Sequence, residues 1–337
     1  MNTVQYIVHR IRKCKSLYDS PNGKNLDGTL SKENTCFQSV STATYEYHGD
    51  DAIGYGANFM VVADGVSGTV KSSGALAKRL VSESLKQLSA LQAQSLDTDI
   101  KTSDLEKCMQ NVIKKVVGVT QRKGRLDSTL SAAYFDQVSK RMFVFTIGDC
   151  KCILLRKKAL IFESDSIIYD FNVPAVVSNN SGINYSADVK VQSCLYECGD
   201  VCLMFSDGVH DNLYLDQILE CASQTQSNAE SIAKRIVACV VDTFTHSTSL
   251  IPFAVSAASF CKEALAELES SGTHRKQYEA FFDKCQNLLG STKSREILCK
   301  EQRVRKLAFY SATNLLNFAQ KKLGKKDDVS VCVAILS

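Results

Sequence analysis

Proline is scarce in this 337-residue chain, occurring only at Pro21, Pro174 and Pro252, so little interrupts regular secondary structure. Long hydrophobic runs are missing too. Stretches such as Met142–Ile147 and Val201–Phe205 fall far short of the ~20 apolar residues that cross a bilayer, and no membrane span is expected. Neither an internal repeat nor a low-complexity tract is visible. A large net charge is lacking: Lys+Arg 40 against Asp+Glu 36 gives +4, well short of the strongly basic character of a dedicated nucleic-acid binder. The 14 cysteines form no paired CxxC modules, and Cys150 and Cys152 alternate along an apolar run, so the pattern reads as reduced thiols rather than a disulfide framework. Nucleotide-binding loops are absent as well. Gly54-Tyr55-Gly56 lacks the remaining glycine of GxGxxG, and no GxxxxGK[ST] occurs.

What the chain does have is ordinary globular material, 45% hydrophobic and 23% charged, enough for a sizeable core. Residues 1–35 read as a basic, flexible N-terminal segment. Met1–Tyr18 contains no acid but carries Arg10, Arg12, Lys13 and Lys15 beside Val4, Ile7, Val8 and Ile11, the composition of a mitochondrial transit peptide, with a cytoplasmic protein bearing a basic tail as the alternative. Asp19–Asn34 is rich in Ser, Asn, Gly, Asp and Lys and reads as a lead-in, so one domain over 36–337 should begin near Cys36. Short apolar runs then share a feature: Phe59–Ala63 ends at Asp64, Met142–Ile147 at Gly148-Asp149, and Val201–Phe205 at Ser206-Asp207, while Asp327-Asp328 precede Val329–Leu336. Each reads as a strand with an acid at one end, and an antiparallel arrangement would gather the acids at one edge. Apolar residues at helical spacing predict amphipathic helices over Ser73–Leu91, Asp104–Val119 and Asn228–Thr243. Phe260–Leu323 reads as a helical insertion with clustered Lys293, Arg295, Lys300, Arg303, Arg305 and Lys306, either a solvated basic face or a docking surface for an acidic protein partner. Strands mixed with helix pairs imply a layered α+β protein.

A single Asp-Gly after a strand is usually just a turn. Several carboxylates converging at strand ends are another matter, because burying them together is costly unless something positive neutralises them. Asp oxygens without Cys/His spacing suit hard cations such as Mg²⁺ or Mn²⁺ rather than zinc. Two such ions can lower the pKa of a shared water and clamp a phosphoryl oxygen, which points to phosphate-ester hydrolysis.

The ordered series Gly49-Asp50-Asp51-Ala52, Val62-Ala63-Asp64-Gly65-Val66-Ser67-Gly68, Ser128-Thr129, Gly148-Asp149, Ser206-Asp207-Gly208 and Asp327-Asp328-Val329-Ser330 resembles the type 2C (PPM) protein serine/threonine phosphatase family. With Phe171-Asn172-Val173-Pro174 and Asp211-Asn212, it looks nearest to the small mitochondrial and azacytidine-resistance-like branch. The resemblance implies a four-layer α-β-β-α sandwich of two antiparallel sheets flanked by helices. It also implies hydrolysis of phosphoserine and phosphothreonine in a phosphoprotein substrate, by a monomer with no nucleic-acid partner. Asp64, Asp207 and Asp327 would be the catalytic metal ligands, with Asp64 bridging both ions and the Gly65 carbonyl completing one sphere. Asp50 and Asp51 would act peripherally or through water, and Asp149 with Asp207 would form a weaker third-ion position.

Two departures from the family pattern matter. Val66 stands where many members have the His that protonates the leaving oxygen, leaving His48, His210 or water as candidate general acids. No Arg or Lys occurs from Cys36 to Gly49 to hold phosphate, and Lys71 is the nearby cation beyond that stretch. These losses keep alive a pseudophosphatase that binds or regulates without turnover. A haloacid-dehalogenase-like mechanism requires a second Asp two residues after the nucleophile, and Asp64-Gly65-Val66 breaks that pattern. A metal-dependent nuclease would use similar acids but demand nucleic acid.

Overall fold

A computed structural model of the chain describes residues 35–66, 73–94, 99–120, 125–180, 182–223, 228–245, 250–256 and 323–337. Fourteen strands are present: β1 Phe37–Tyr45, β2 Ala52–Tyr55, β3 Phe59–Ala63, β4 Asp127–Ser128, β5 Leu130–Asp136, β6 Arg141–Ile147, β7 Lys151–Arg156, β8 Ala159–Glu163, β9 Ile168–Asp170, β10 Val173–Pro174, β11 Val177–Ser178, β12 Lys190–Leu195, β13 Val201–Phe205 and β14 Val329–Leu336. The helices are α1 Ser73–Gln94, α2 Thr102–Thr120, α3 Tyr185–Asp188, α4 Asp207–His210, α5 Leu215–Ala222 and α6 Ala229–Thr243. Two five-stranded sheets carry the architecture, ordered β1-β14-β13-β7-β8 and β12-β6-β5-β3-β2, and every pairing within them is antiparallel.

Strand periodicity explains how the layers stack. In β3, Phe59, Val61 and Ala63 face one way, joining Leu76, Leu80 and Leu88 of α1 and Leu105, Met109 and Val112 of α2 in a buried cluster. Met60 and Val62 face the other way, meeting Cys152, Leu154, Cys202, Met204, Cys332 and Ala334 of the opposite sheet. β5 and β6 divide in the same manner, with Tyr134 and Phe145 towards the helices and Phe135 and Val144 between the sheets. Burying a side chain of this size stabilises the fold by roughly 1.5–3 kcal/mol. Strands buried on both faces therefore read in sequence as unbroken apolar runs.

The described residues fall into two compact units, one reaching Asp242 and including Lys326–Ser337, the other running from Thr243 to Lys325. Within the second, Gly324 N–H donates to the Thr243 carbonyl at 2.7 Å and the Lys325 ammonium lies 4.9 Å from the Phe253 ring centre. The basic segment at Phe260–Leu323 lies, but for Leu323, outside the described residues, as do Met1–Asn34, Ser67-Gly68 and Lys71. No described helix is long and apolar enough to cross a membrane.

Candidate metal centre

Chain crossings between the two sheets build the site. The loop from Tyr45 to Ala52 passes from β1 in one sheet to β2 in the other, and the turn at Gly148–Cys150 carries β6 over to β7. The registers Tyr45↔Val329, Ala52↔Ala63 and Phe205↔Val331 bring the end of β1, the start of β2, the ends of β3 and β13 and the start of β14 to one edge of the sandwich. The predicted acids lie on these segments.

Asp64 is at the centre of their electrostatics. It is only half-buried by surface exposure, yet enough protein surrounds its carboxyl that burial raises its pKa well above the ordinary value, followed by repulsion from Asp207, Asp51, Asp327 and Asp149. Burial likewise pushes Asp51 up to about 8, reinforced by Asp328 and Asp207 and opposed by a 2.7 Å hydrogen bond from the Ser206 hydroxyl. Carboxyls raised in this way hold protons that a cation can displace, and an all-oxygen donor set fits Mg²⁺ or Mn²⁺. Among the described residues, no three of these groups already form a closed set of ligands.

Backbone geometry around Asp64 is tightly fixed. Its N–H donates to the Thr129 hydroxyl at 3.0 Å, and the Thr129 N–H donates back to the Asp64 carbonyl at 2.8 Å. Thr129 is itself buried against the Cys150 thiol, 3.2 Å away. Gly65 follows, with its N–H on the Asp50 carbonyl at 3.1 Å. A Cβ there would come within 2.7–2.8 Å of backbone atoms of Ser73, Asp50 and Gly74, so only glycine fits the crossing.

Asp207 is buried in the first turn of α4, at the end of β13. Asp149 is also buried, and Asp327 is half-buried just before β14. Asp50 reaches the start of α1, where the Gly74 N–H donates to its carboxylate at 3.0 Å, a favourable place for an anion at a helix N-terminus. Of the two imidazoles, His48 is exposed, with its ring edge-on to Tyr47. His210, half-buried on α4, has Nε2 3.0 Å from the Asp149 carbonyl and Nδ1 3.8 Å from the Asp211 carboxylate.

The residue that sequence reasoning passed over is Asp328. Only 3% exposed, it accepts the backbone N–H groups of Tyr47, His48, Gly49, Asp50 and Asp51 at 2.5–3.3 Å, gripping the whole crossing loop. Burial alone would raise its pKa, but the donors Gly49, Asp50, Tyr47 and His48 outweigh that and bring it below the usual carboxylate range. The doublet Asp327-Asp328 was the available signal, but nothing in the sequence says which member grips backbone.

The fold is that of the type 2C protein phosphatases. The solved photosystem II phosphatase PBCP aligns with a TM-score of 0.56 at 17% identity, over 89% of this chain and 99% of that one. Among curated proteins, "Probable protein phosphatase 2C 26" of Arabidopsis thaliana is 28% identical over 218 residues, 63% of this chain and 68% of the relative. "Probable protein phosphatase 2C 80" from the same plant is 26% identical over 160 residues, 47% of this chain and 35% of that protein. No family model matches the chain.

Proposed function

We propose that the protein is a divalent-cation-dependent phosphatase acting on phosphoserine and phosphothreonine in proteins. The observation that carries this reading is the meeting of Asp64 with Asp51, Asp149, Asp207 and Asp327 at one edge of the sandwich, where mutual repulsion and burial raise the Asp64 carboxyl. Asp64, Asp207 and Asp327, with the Gly65 carbonyl, would hold Mg²⁺ or Mn²⁺; Asp51 would support them, Asp50 would act from the periphery, and Asp149 with Asp207 would form a weaker third position. When bound, the cations lower the pKa of water and stabilise charge on a phosphoryl group.

The chain's own residues do the positioning. Thr129 fixes the Asp64 backbone from one side, and Asp328 holds the crossing loop from the other. Ser206 keeps a proton donor on Asp51. His210, tied to the Asp149 carbonyl beside the acids, is better placed than exposed His48 to deliver a proton to the leaving oxygen. We place the protein in the small mitochondrial and azacytidine-resistance-like branch on Gly49-Asp50-Asp51-Ala52, Phe171-Asn172-Val173-Pro174, Asp211-Asn212 and Asp327-Asp328, and in the mitochondrion on the composition of Met1–Tyr18; a fluorescent fusion found only in the cytosol would refute that location.

The test is hydrolysis of a phosphothreonine peptide by purified protein with EDTA, Mg²⁺ or Mn²⁺, alongside Asp64→Asn and Asp207→Asn. Cation-dependent turnover that falls at least 10³-fold in both variants is expected, equivalent to about 4 kcal/mol of transition-state stabilisation. Absence of turnover from folded protein with every cation would favour a pseudophosphatase.

A further inference from the structure

Among the described residues, two pairs of thiols lie within hydrogen-bonding reach of one another. Cys152 and Cys202 are 3.6 Å apart between the sheets, both fully buried, and burial first of all drives the Cys202 thiol far above its usual pKa. Cys221 and Cys239 are 3.4 Å apart, joining the last turn of α5 to α6, with Cys239 half-buried rather than sealed. Arg235, one turn before Cys239 on α6, donates to the Cys221 carbonyl and so holds the two helices together at the thiols.

The two sulfurs of the second pair differ in access, Cys221 being buried and Cys239 half-buried. The Cys221 thiol donates to the Cys239 sulfur, and this bond is the leading cause both of a lowered pKa at Cys239 and of a raised one at Cys221. Arg235 favours the thiolate at both positions, while Glu220 opposes it at both and Asp242 opposes it at Cys239. Cys239, the more accessible sulfur, is placed as the nucleophile and buried Cys221 as the resolving thiol, an arrangement that the sealed Cys152–Cys202 pair lacks.

We infer that Cys221 and Cys239 form a reversible disulfide on exposure to a peroxide. The Cys239 thiolate attacks one oxygen of hydrogen peroxide, forming S–OH and breaking the O–O bond with release of hydroxide, which takes up the proton that Cys239 had lost. Cys221 sulfur then attacks Cys239 sulfur. The S–S bond forms, the S–O bond breaks, and the departing hydroxide leaves as water with the Cys221 proton. Two thiols are oxidised as one peroxide is reduced to two waters. Closing the sulfurs from 3.4 Å to a bonded ~2.05 Å is a small movement of two side chains on neighbouring helices. The link staples α5, which follows the Asp207-bearing α4, to α6. This chemistry goes beyond phosphate hydrolysis and does not depend on it.

The experiment uses the full chain, reduced, treated with hydrogen peroxide, alkylated and digested without reductant for mass spectrometry. A dominant Cys221–Cys239 linked peptide, lost on dithiothreitol treatment, is expected, with a thermal midpoint raised by roughly 5–10 °C in the oxidised protein. In Cys221→Ser, dimedone should label Cys239. The inference is overturned if, in wild-type protein, both thiols remain alkylated while exposed Cys198 oxidises, or if the linked peptide joins Cys152 and Cys202 instead.

Discussion

Replacing Asp328 by Asn keeps the side chain's size but turns one of its acceptors into a donor. In the native protein one carboxylate oxygen accepts Tyr47, His48 and Gly49 N–H groups and the other accepts Asp50 and Asp51. An amide can serve only one of these groups, so at least two backbone donors face an NH₂. A hydrogen bond to a charged group contributes about 1.5–3 kcal/mol, and a buried donor left without a partner costs about 1–3 kcal/mol. Allowing for relaxation and non-additivity, Asp328→Asn should destabilise the fold by about 3–5 kcal/mol, a large part of a typical domain's total. Urea denaturation in EDTA, with equal m-values for both proteins, measures this directly. The pH dependence supplies a second check. Because the folded pKa of Asp328 is depressed, its stabilisation is present above the unfolded value of ~3.9 and lost as pH falls through the folded value. The gap between wild type and variant should thus be open at pH 5 and close below about 4. A variant within 1 kcal/mol of wild type at pH 7 would show that the five N–H groups do not depend on this carboxylate.

Asp51 and Asp64 carry the opposite sign: their folded pKa values are raised, so metal-free stability should fall as pH climbs from about 4 towards 8, and Mg²⁺ or Mn²⁺ should raise the melting temperature more at pH 8 than at pH 5. A pH-independent metal response in differential scanning fluorimetry would contradict that. Gly65→Ala forces a Cβ against three backbone atoms and should cost about 2–4 kcal/mol and blunt the metal response, whereas Gly118→Ala, in α2 with open space around it, should stabilise by about 0.5–1 kcal/mol; circular dichroism melts compare them. Thr129→Val leaves the Asp64 N–H without its hydroxyl acceptor and should cost about 1–3 kcal/mol, with the metal concentration needed for half-maximal activity rising while Thr129→Ser retains most function. Unchanged metal affinity in Thr129→Val would remove Thr129 from the positioning of Asp64.

Much of this fold was legible because the buried strands announce themselves. Phe59–Ala63, Val201–Phe205 and Val329–Leu336 occupy the predicted bounds, and the three predicted helices differ from the observed ones by three residues or fewer at any end. Edge strands were harder to read. β8 alternates exposed and half-buried residues, β12 has no buried residue, and β2 is only four residues long, so none carries the buried run that marks a central strand. The two-sheet architecture came from the family resemblance and is present in the structure. In the site, the acids stood out in sequence, but their partners did not. Thr129, Ser206 and Gly74 act across 65, 155 and 24 residues of separation, distances over which local patterning carries no information.

The two Asp doublets show why such a site spends acids in pairs. Neighbouring residues in extended backbone point to opposite sides. In Asp50-Asp51 the first carboxylate holds the N-terminus of α1, and the second enters the repelling cluster around Asp64. In Asp327-Asp328 the order is reversed: Asp327 enters the cluster, and Asp328 grips the backbone of the crossing loop. Each doublet therefore joins one carboxylate that creates negative charge to another that resists its consequences. When the clustered members ionise without a cation they push their strand ends apart, and the anchoring members, stabilised by N–H donors that no metal supplies, keep those ends in place. The site can then stay assembled while its charge awaits neutralisation, because the groups that hold the loops are not the groups that would hold the ions.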